Sequence, residues 1–285
     1  MDFLKRLFRF GTYDSARELN LTNEQAVSEP FVQNVLTKYR KNAVLLRPHT
    51  TRIQLAFDTS KVGGVADLRG FSSYPCCNKC SEPLNFVLQI YRKDFAGLYY
   101  PENKNLFQLF RCPNRECGGD QYSDQAMFVY YFTEQSAPSK LLLKPLSLTE
   151  DNEQEVPECE LRSQNVLDYP IYDDYPNDEY TKIEIKYGDT FGEYFMENFS
   201  AKEGTKIGGY PAYTQSPVHP LCTCGKMKTF FFQLSSCDIE EGVNYPPPPD
   251  QWSAHGIMIG DVGNIYFYVC MDFGEKSIES NWDCY

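Results

Sequence analysis

Residues 61–90 read KVGGVADLRGFSSYPCCNKCSEPLNFVLQI, and residues 206–234 read KIGGYPAYTQSPVHPLCTCGKMKTFFFQL. The two stretches are one pattern written twice. Lys61-Val-Gly-Gly64 returns as Lys206-Ile-Gly-Gly209 after 145 residues, and Pro75 returns as Pro220 at the same offset. Cys80 returns as Cys224 after 144 residues, and Phe86–Ile90 returns as Phe230–Leu234, again after 144. Landmarks held at a near-constant offset mark a duplicated unit. Further along, Leu106–Cys112 (LFQLFRC) matches Asn264–Cys270 (NIYFYVC) 158 residues later. The 14 additional residues fall in the second copy around 243–256, which includes Pro246–Pro249.

Around these landmarks the chain divides into a helical N-terminal segment (1–50), a first β-rich repeat (51–140), an acidic connecting segment (141–200) and a second β-rich repeat (201–285). Arg52–Phe57 and Leu84–Ile90 alternate apolar and other residues as half-buried strands do. Ala126–Phe132, Phe230–Leu234 and Ile265–Met271 are short aromatic and β-branched runs suited to strands covered on both faces. Over Glu29–Lys41 the apolar positions Phe31, Val32, Val35, Leu36 and Tyr39 form one helical stripe, with Ser28 as N-cap and Pro30 in the first turn. Phe3, Leu4, Leu7, Phe8 and Phe10 suit a short amphipathic helix that docks on the protein. The expected fold is α+β and mostly β: an internally duplicated antiparallel-sheet unit with a helical N-terminus.

The chain has 285 residues, of which 42% are hydrophobic and 15% aromatic, which excludes a disordered chain. Its longest apolar runs, Ala126–Phe132 and Ile265–Met271, fall far short of the roughly 20 residues of a membrane span. Lys5, Arg6 and Arg9 interrupt the apolar residues of the N-terminus, so no signal peptide is read there. A soluble, cytoplasmic protein with reduced thiols is the expectation.

The charge is uneven. The whole chain carries 27 Lys and Arg against 39 Asp and Glu. Thr149–Asn198 alone has 15 acidic and 3 basic residues, so the rest sums to zero. This stretch, with its tyrosines and with Pro170 and Pro176 as helix breakers, reads as a solvated linker or as a contact surface for a basic partner. Without a Lys/Arg cluster, no nucleic acid is expected.

Eleven cysteines dominate the candidate chemistry. Cys77-x2-Cys80 is followed after 31 residues by Cys112-x4-Cys117, with Pro75, Pro113 and Gly118-Gly119 as flanking turn residues. Two short cysteine pairs brought together make the tetrahedral thiolate cage of a structural zinc site. Cys76 is the alternative to Cys77. In the second copy, Cys222-x-Cys224 and Cys270 align with three of these ligands, while the place of Cys117 reads MDFGEK. His219, Cys237 or Cys284 would complete a second site of Cys222, Cys224, Cys270 and, in the simplest set, Cys284; the other reading is a degenerate site.

The Gly-Gly pairs read as turns needing positive φ, since the spacing of a phosphate loop is absent. Gln89 and Gln233 read as buried hydrogen-bond anchors. Enzyme signals are poor. There are three histidines, no nucleophile signature, and His49 and His255 read as surface or capping residues.

KIGGYPAYTQSP, CTCGKMKTFFFQLSS and IMIGDVGNIYFYVC resemble the YwqG-like family, and the same ordered elements more distantly resemble the programmed cell death protein 2 family. The resemblance covers about 160 residues in the two copies. It implies a β-rich duplicated fold. The second family further implies zinc binding and a chaperone role towards a basic ribosomal protein. The expected function is a zinc-binding protein-interaction module that escorts a basic client without catalysis. The rival is an enzyme or small-ligand binder with a pocket between the repeats, near Gly64, Gln89, Gly209 and Gln233.

Overall fold

The computed structural model describes residues 21–114, 117, 127–133, 142–146, 155–238 and 253–285. The N-terminal stretch Phe3–Phe10, Gly118-Gly119 and Pro246–Pro249 lie outside them. Among the described residues, ten antiparallel strands form one sheet in the order β10-β9-β8-β7-β1-β6-β2-β3-β4-β5. They are β1 (Lys41–Thr50), β2 (Lys61–Val62), β3 (Asn85–Tyr91), β4 (Leu106–Arg111), β5 (Met127–Phe132), β6 (Cys159–Asp168), β7 (Lys206–Gly208), β8 (Thr229–Ser235), β9 (Asn264–Val269) and β10 (Glu279–Asp283).

The duplication is visible in the wings of this sheet, β2 to β5 and β7 to β10. Each begins with the short Lys-x-Gly-Gly strand. Each second strand has a bulge at the same place, between Phe86 and Leu88 and between Phe230 and Phe232. A bulge bends its strand and increases its twist. The wings face each other across one apolar core, where Phe107 of β4 lies 5.6 Å from Phe232 of β8 and Tyr99 lies 5.7 Å from Phe231.

Between the wings runs a ribbon of the two long strands, paired over ten residues from Lys41 opposite Asp168 to Thr50 opposite Cys159. Here the copies are interlocked. β1 precedes the first wing but pairs with β7 of the second, and β6 precedes the second wing but pairs with β2 of the first.

Among the described residues, four α-helices form a second layer: α1 (Asn23–Ser28), α2 (Pro30–Tyr39), α3 (Glu179–Tyr187) and α4 (Asp189–Asn198). They share a core of Val32, Val35, Leu36, Ile183, Phe191 and Phe195 with Tyr175. None of them is long and apolar enough to cross a membrane.

The structure corrects several expectations. Arg52–Phe57 forms no strand: Arg52 and Ile53 make a bend, Phe57 opens a turn, and Ile53 is exposed; alternation in a six-residue window did not outweigh the absence of a pairing partner. The strand is instead β1, inside the segment read as helical. Ser28 ends α1, whose N-cap is Thr22 in a capping box with Gln25, and Glu29 precedes α2 without a side-chain cap. β3 is buried along its whole length because one face meets the inter-wing core and the other an aromatic cluster. The acidic segment is more than a linker, since it supplies β6, α3 and α4.

Candidate metal centres

In the sequence LFQLFRC, β4 ends at Arg111 and the cysteine follows it directly, and Pro75 leads into the turn that carries the first pair. That turn closes on three backbone bonds: Leu84 N–H to Pro75 O, Cys77 N–H to Glu82 O and Ser81 N–H to Cys77 O. The second copy repeats them as Lys228 to Pro220, Cys222 to Lys226 and Gly225 to Cys222. Ser81 and Gly225, at matching positions, both take positive φ, 64° and 81°.

These turns meet the ends of β4 and β9. In the first copy the Sγ atoms of Cys77, Cys80, Cys112 and Cys117 all lie within 4.8 Å of one another, close enough for one metal ion to touch all four. Cys77 and Cys117 are 3.5 Å apart, as are Cys80 and Cys112. Cys76 stays outside the cluster, exposed, with its thiol on Tyr74 O. The cage is backed by Phe71, Phe86, Phe110, Phe128 and Tyr130. In the second copy Cys222, Cys224 and Cys270 converge, with Cys224 and Cys270 3.7 Å apart.

The expected fourth ligands of the second site are elsewhere. Cys284 lies against Gly260 and Gly263, beyond the end of β10 that pairs with Asn264, while Cys270 follows the opposite end of β9. Cys237 hydrogen-bonds Ser235 at that same far end. His219 pairs with Asp174 at 2.9 Å.

The two clusters share one electrostatic feature. Burial opposes the Cys77 thiolate, but the N–H groups of Cys80 and Lys79 and the neighbouring thiols outweigh it and bring the pKa down to about 7. At the equivalent Cys222, the Cys224 N–H brings it to about 7. Burial pushes Cys117 up to about 11 and raises Cys112 as well. Each cluster thus holds one thiol poised to ionise first, as metal capture requires.

The other candidate residues are spent on the scaffold. Gln89 Oε1 accepts from Asp67 N–H at 2.8 Å, and Gln233 Oε1 accepts from Ala212 N–H at 2.9 Å; both glutamines are fully buried. Gly64 and Gly209 have φ near +70°, and a Cβ at Gly209 would fall on the Asp168 carboxylate.

Sequence reading missed the groups that anchor these turns. Lys61 and Lys206 are fully buried, the first 2.8 Å from Glu158 and the second 3.0 Å from Asp168. The repeat of Lys at the head of each Gly-Gly element was the available signal. His255, read as a surface or capping residue, is buried rather than on the surface. Its Nε2 lies 3.1 Å from Asp238, and its Nδ1 accepts from Ile257 N–H, so both ring nitrogens are engaged in holding a loop.

With this geometry in place, the family match can be read. A domain of unknown function, DUF1963, matches residues 60–277. The chain belongs to the DUF1963 family. YwqG-like proteins are in that family. No curated protein matches the chain. The matched span starts at the Lys61 turn and ends at Ser277, so it takes in β2 to β9 and both cysteine clusters, but not β1 or β10.

Proposed function

We propose that this DUF1963 protein is a zinc-binding protein-interaction module that escorts a basic client protein and performs no catalysis. The observation that carries the reading is the outer face of the helical layer. Between Tyr172 and Asn198 eight carboxylates accompany two lysines. Asp173, Asp178, Asp189, Glu193 and Glu197 are exposed, and so are the apolar Tyr172 and Ile185. Such a face combines electrostatic steering of a cationic partner with flat contact area.

Zinc suits the first cluster. Two thiolates ~2.3 Å from one tetrahedral zinc stand about 3.8 Å apart. The 3.5 Å sulfur pairs fit that cage, and soft thiolates favour zinc over magnesium or calcium. A closed four-thiolate site is structural, so its role would be to hold the Pro75–Leu84 turn on the end of β4. The YwqG-like resemblance adds no activity, and the resemblance to the programmed cell death protein 2 family supports a client-escort role.

Two measurements test this. Protein purified without a histidine tag or added metal should contain one to two zinc ions per chain by elemental mass spectrometry. The double variant Cys80→Ser with Cys112→Ser should lose one zinc and lower the melting temperature; unchanged metal content removes the site. For the client, affinity capture at low salt should enrich basic proteins, and the triple reversal Asp189→Lys, Glu193→Lys, Glu197→Lys should abolish the enrichment. Capture that survives the reversal would discard the acidic face as the docking surface.

A further inference from the structure

The second cluster has three thiols where the first has four, and the chain geometry explains it. Position 275 follows Cys270 at the spacing by which Cys117 follows Cys112, and it holds a glutamate. The 3-10 turn Gly274–Ser277 carries this residue away from the thiols. Gly274 packs near the Tyr99 hydroxyl, and Glu275 lies close enough to Tyr99 and Tyr131 to add its charge to the burial that raises both phenols.

Among the described residues, the three thiols border open space. Cys222 forms part of the wall of a pocket of about 330 Å³, whose other lining residues include Lys228, Phe273, Lys276, Ser277 and Glu279. The wall is fixed to the cluster, because Ser277 Oγ accepts from Cys270 N–H at 2.8 Å and donates to Cys270 O at 3.2 Å. Cys224 is exposed, whereas three of the four thiols in the first cluster are buried. The two centres therefore differ in kind: one closed and backed by aromatic rings, the other incomplete and bordering a cavity.

We propose that Cys222, Cys224 and Cys270 hold a second zinc ion through three thiolates, with its fourth position open to this pocket and taken by an exchangeable ligand, a thiolate displacing water. Three-ligand zinc sites keep such a position, and an ion already held by thiolates favours another soft donor over water. The thiolate comes either from a small free thiol or from a cysteine of a second copy of the chain. The inference rests on the metal-binding part of the function proposed above and is independent of the client.

Cobalt(II) replaces zinc and reports its ligands by colour. The full chain, loaded with cobalt without thiol reductant, should take two ions. Adding 2-mercaptoethanol should raise the thiolate-to-cobalt charge-transfer band saturably by about one seventh, as seven cobalt–thiolate bonds become eight. The rise should vanish in Cys270→Ser and persist in the double variant Cys80→Ser with Cys112→Ser, which keeps only two thiols in the first cluster; the titration of the unaltered chain decides the matter even where a variant does not fold. An eight-thiolate spectrum without added thiol, lost on dilution together with a dimer, supports the open position and assigns the donor to a second copy. Two cobalt ions with no response to thiol or dilution overturn the proposal. One cobalt per chain overturns it while leaving the first site standing, and none overturns both.

Discussion

Asp67 shows how much one residue of the repeat can carry. It sits six residues after Lys61, where the second copy has Ala212. Burial works against its charge, but Arg69 donates to both carboxylate oxygens and the Tyr91 hydroxyl donates at 2.6 Å. The balance holds its pKa below the ordinary 3.8. A carboxyl with a depressed folded-state pKa contributes stability that is present above its unfolded pKa and disappears as pH falls through the folded one. Asp67→Asn should therefore lower the urea midpoint at pH 7, and the gap from the unaltered protein should close between about pH 5 and pH 2. A gap that stays constant down to pH 3 would show that the carboxylate charge is not what stabilises this turn. Gly225 offers a second test. Its φ of 81° is the left-handed conformation, with no atom within 4 Å of where a Cβ would stand. Gly225→Ala should thus cost only the backbone strain, about 1–2 kcal/mol, read from the same midpoint. The need for positive φ at the Gly-Gly pairs was legible in the sequence. The burial of the lysines before them was not, because Lys is almost never fully buried unless paired, and the partners lie about 38 and 97 residues away in the chain.

Among the elements, β6 is one that the sequence concealed. Strand signals rest on apolar alternation. The middle of β6, Arg162–Asn165, is exposed, since β2 covers its edge only at Cys159 and Glu160. The strand therefore reads as part of an acidic linker. Its function in the fold lies at its ends. Glu158, just before it, accepts from Lys61 Nζ, and Asp168, at its last position, accepts from Lys206 Nζ at 3.0 Å and from the N–H groups of Lys202 and Tyr210. One strand thus clamps the Lys-x-Gly-Gly turns of both copies. Lys206 and Asp168 are fully buried, so removing one partner strands the other. Asp168→Asn should cost about 3–5 kcal/mol, while the double replacement Asp168→Asn with Lys206→Met should recover much of it. A double variant no more stable than Asp168→Asn would mean that the carboxylate acts through its backbone bonds alone. The cysteine clusters were legible for the opposite reason: ligand spacing is local, and the β-turn that presents each pair needs no distant strand to be recognised.

At the scale of the whole molecule, the repeat was legible but its interlocking was not, because sequence similarity reports which segments correspond and says nothing of which partner each strand selects. The long strands cross over: β1 binds the second wing and β6 the first, and the β1–β6 ribbon joins them over ten paired residues. The inter-wing core has the same dependence, since Phe107 packs on Phe231 and Phe232 of the other copy. A half of the chain by itself leaves its long strand unpaired, its wing missing the strand that β2 or β7 needs, and one wall of the core exposed. Large exposed apolar faces and open strand edges lead to aggregation rather than to a stable domain. Fragments 1–146 and 147–285, expressed separately, should therefore lack cooperative unfolding and near-ultraviolet dichroism. Co-expressed, they should form a one-to-one complex with the dichroism of the intact chain. If either fragment alone melts cooperatively, the long strand must fold back on its own wing, and the copies are then separable domains that share an edge rather than one interlocked sheet.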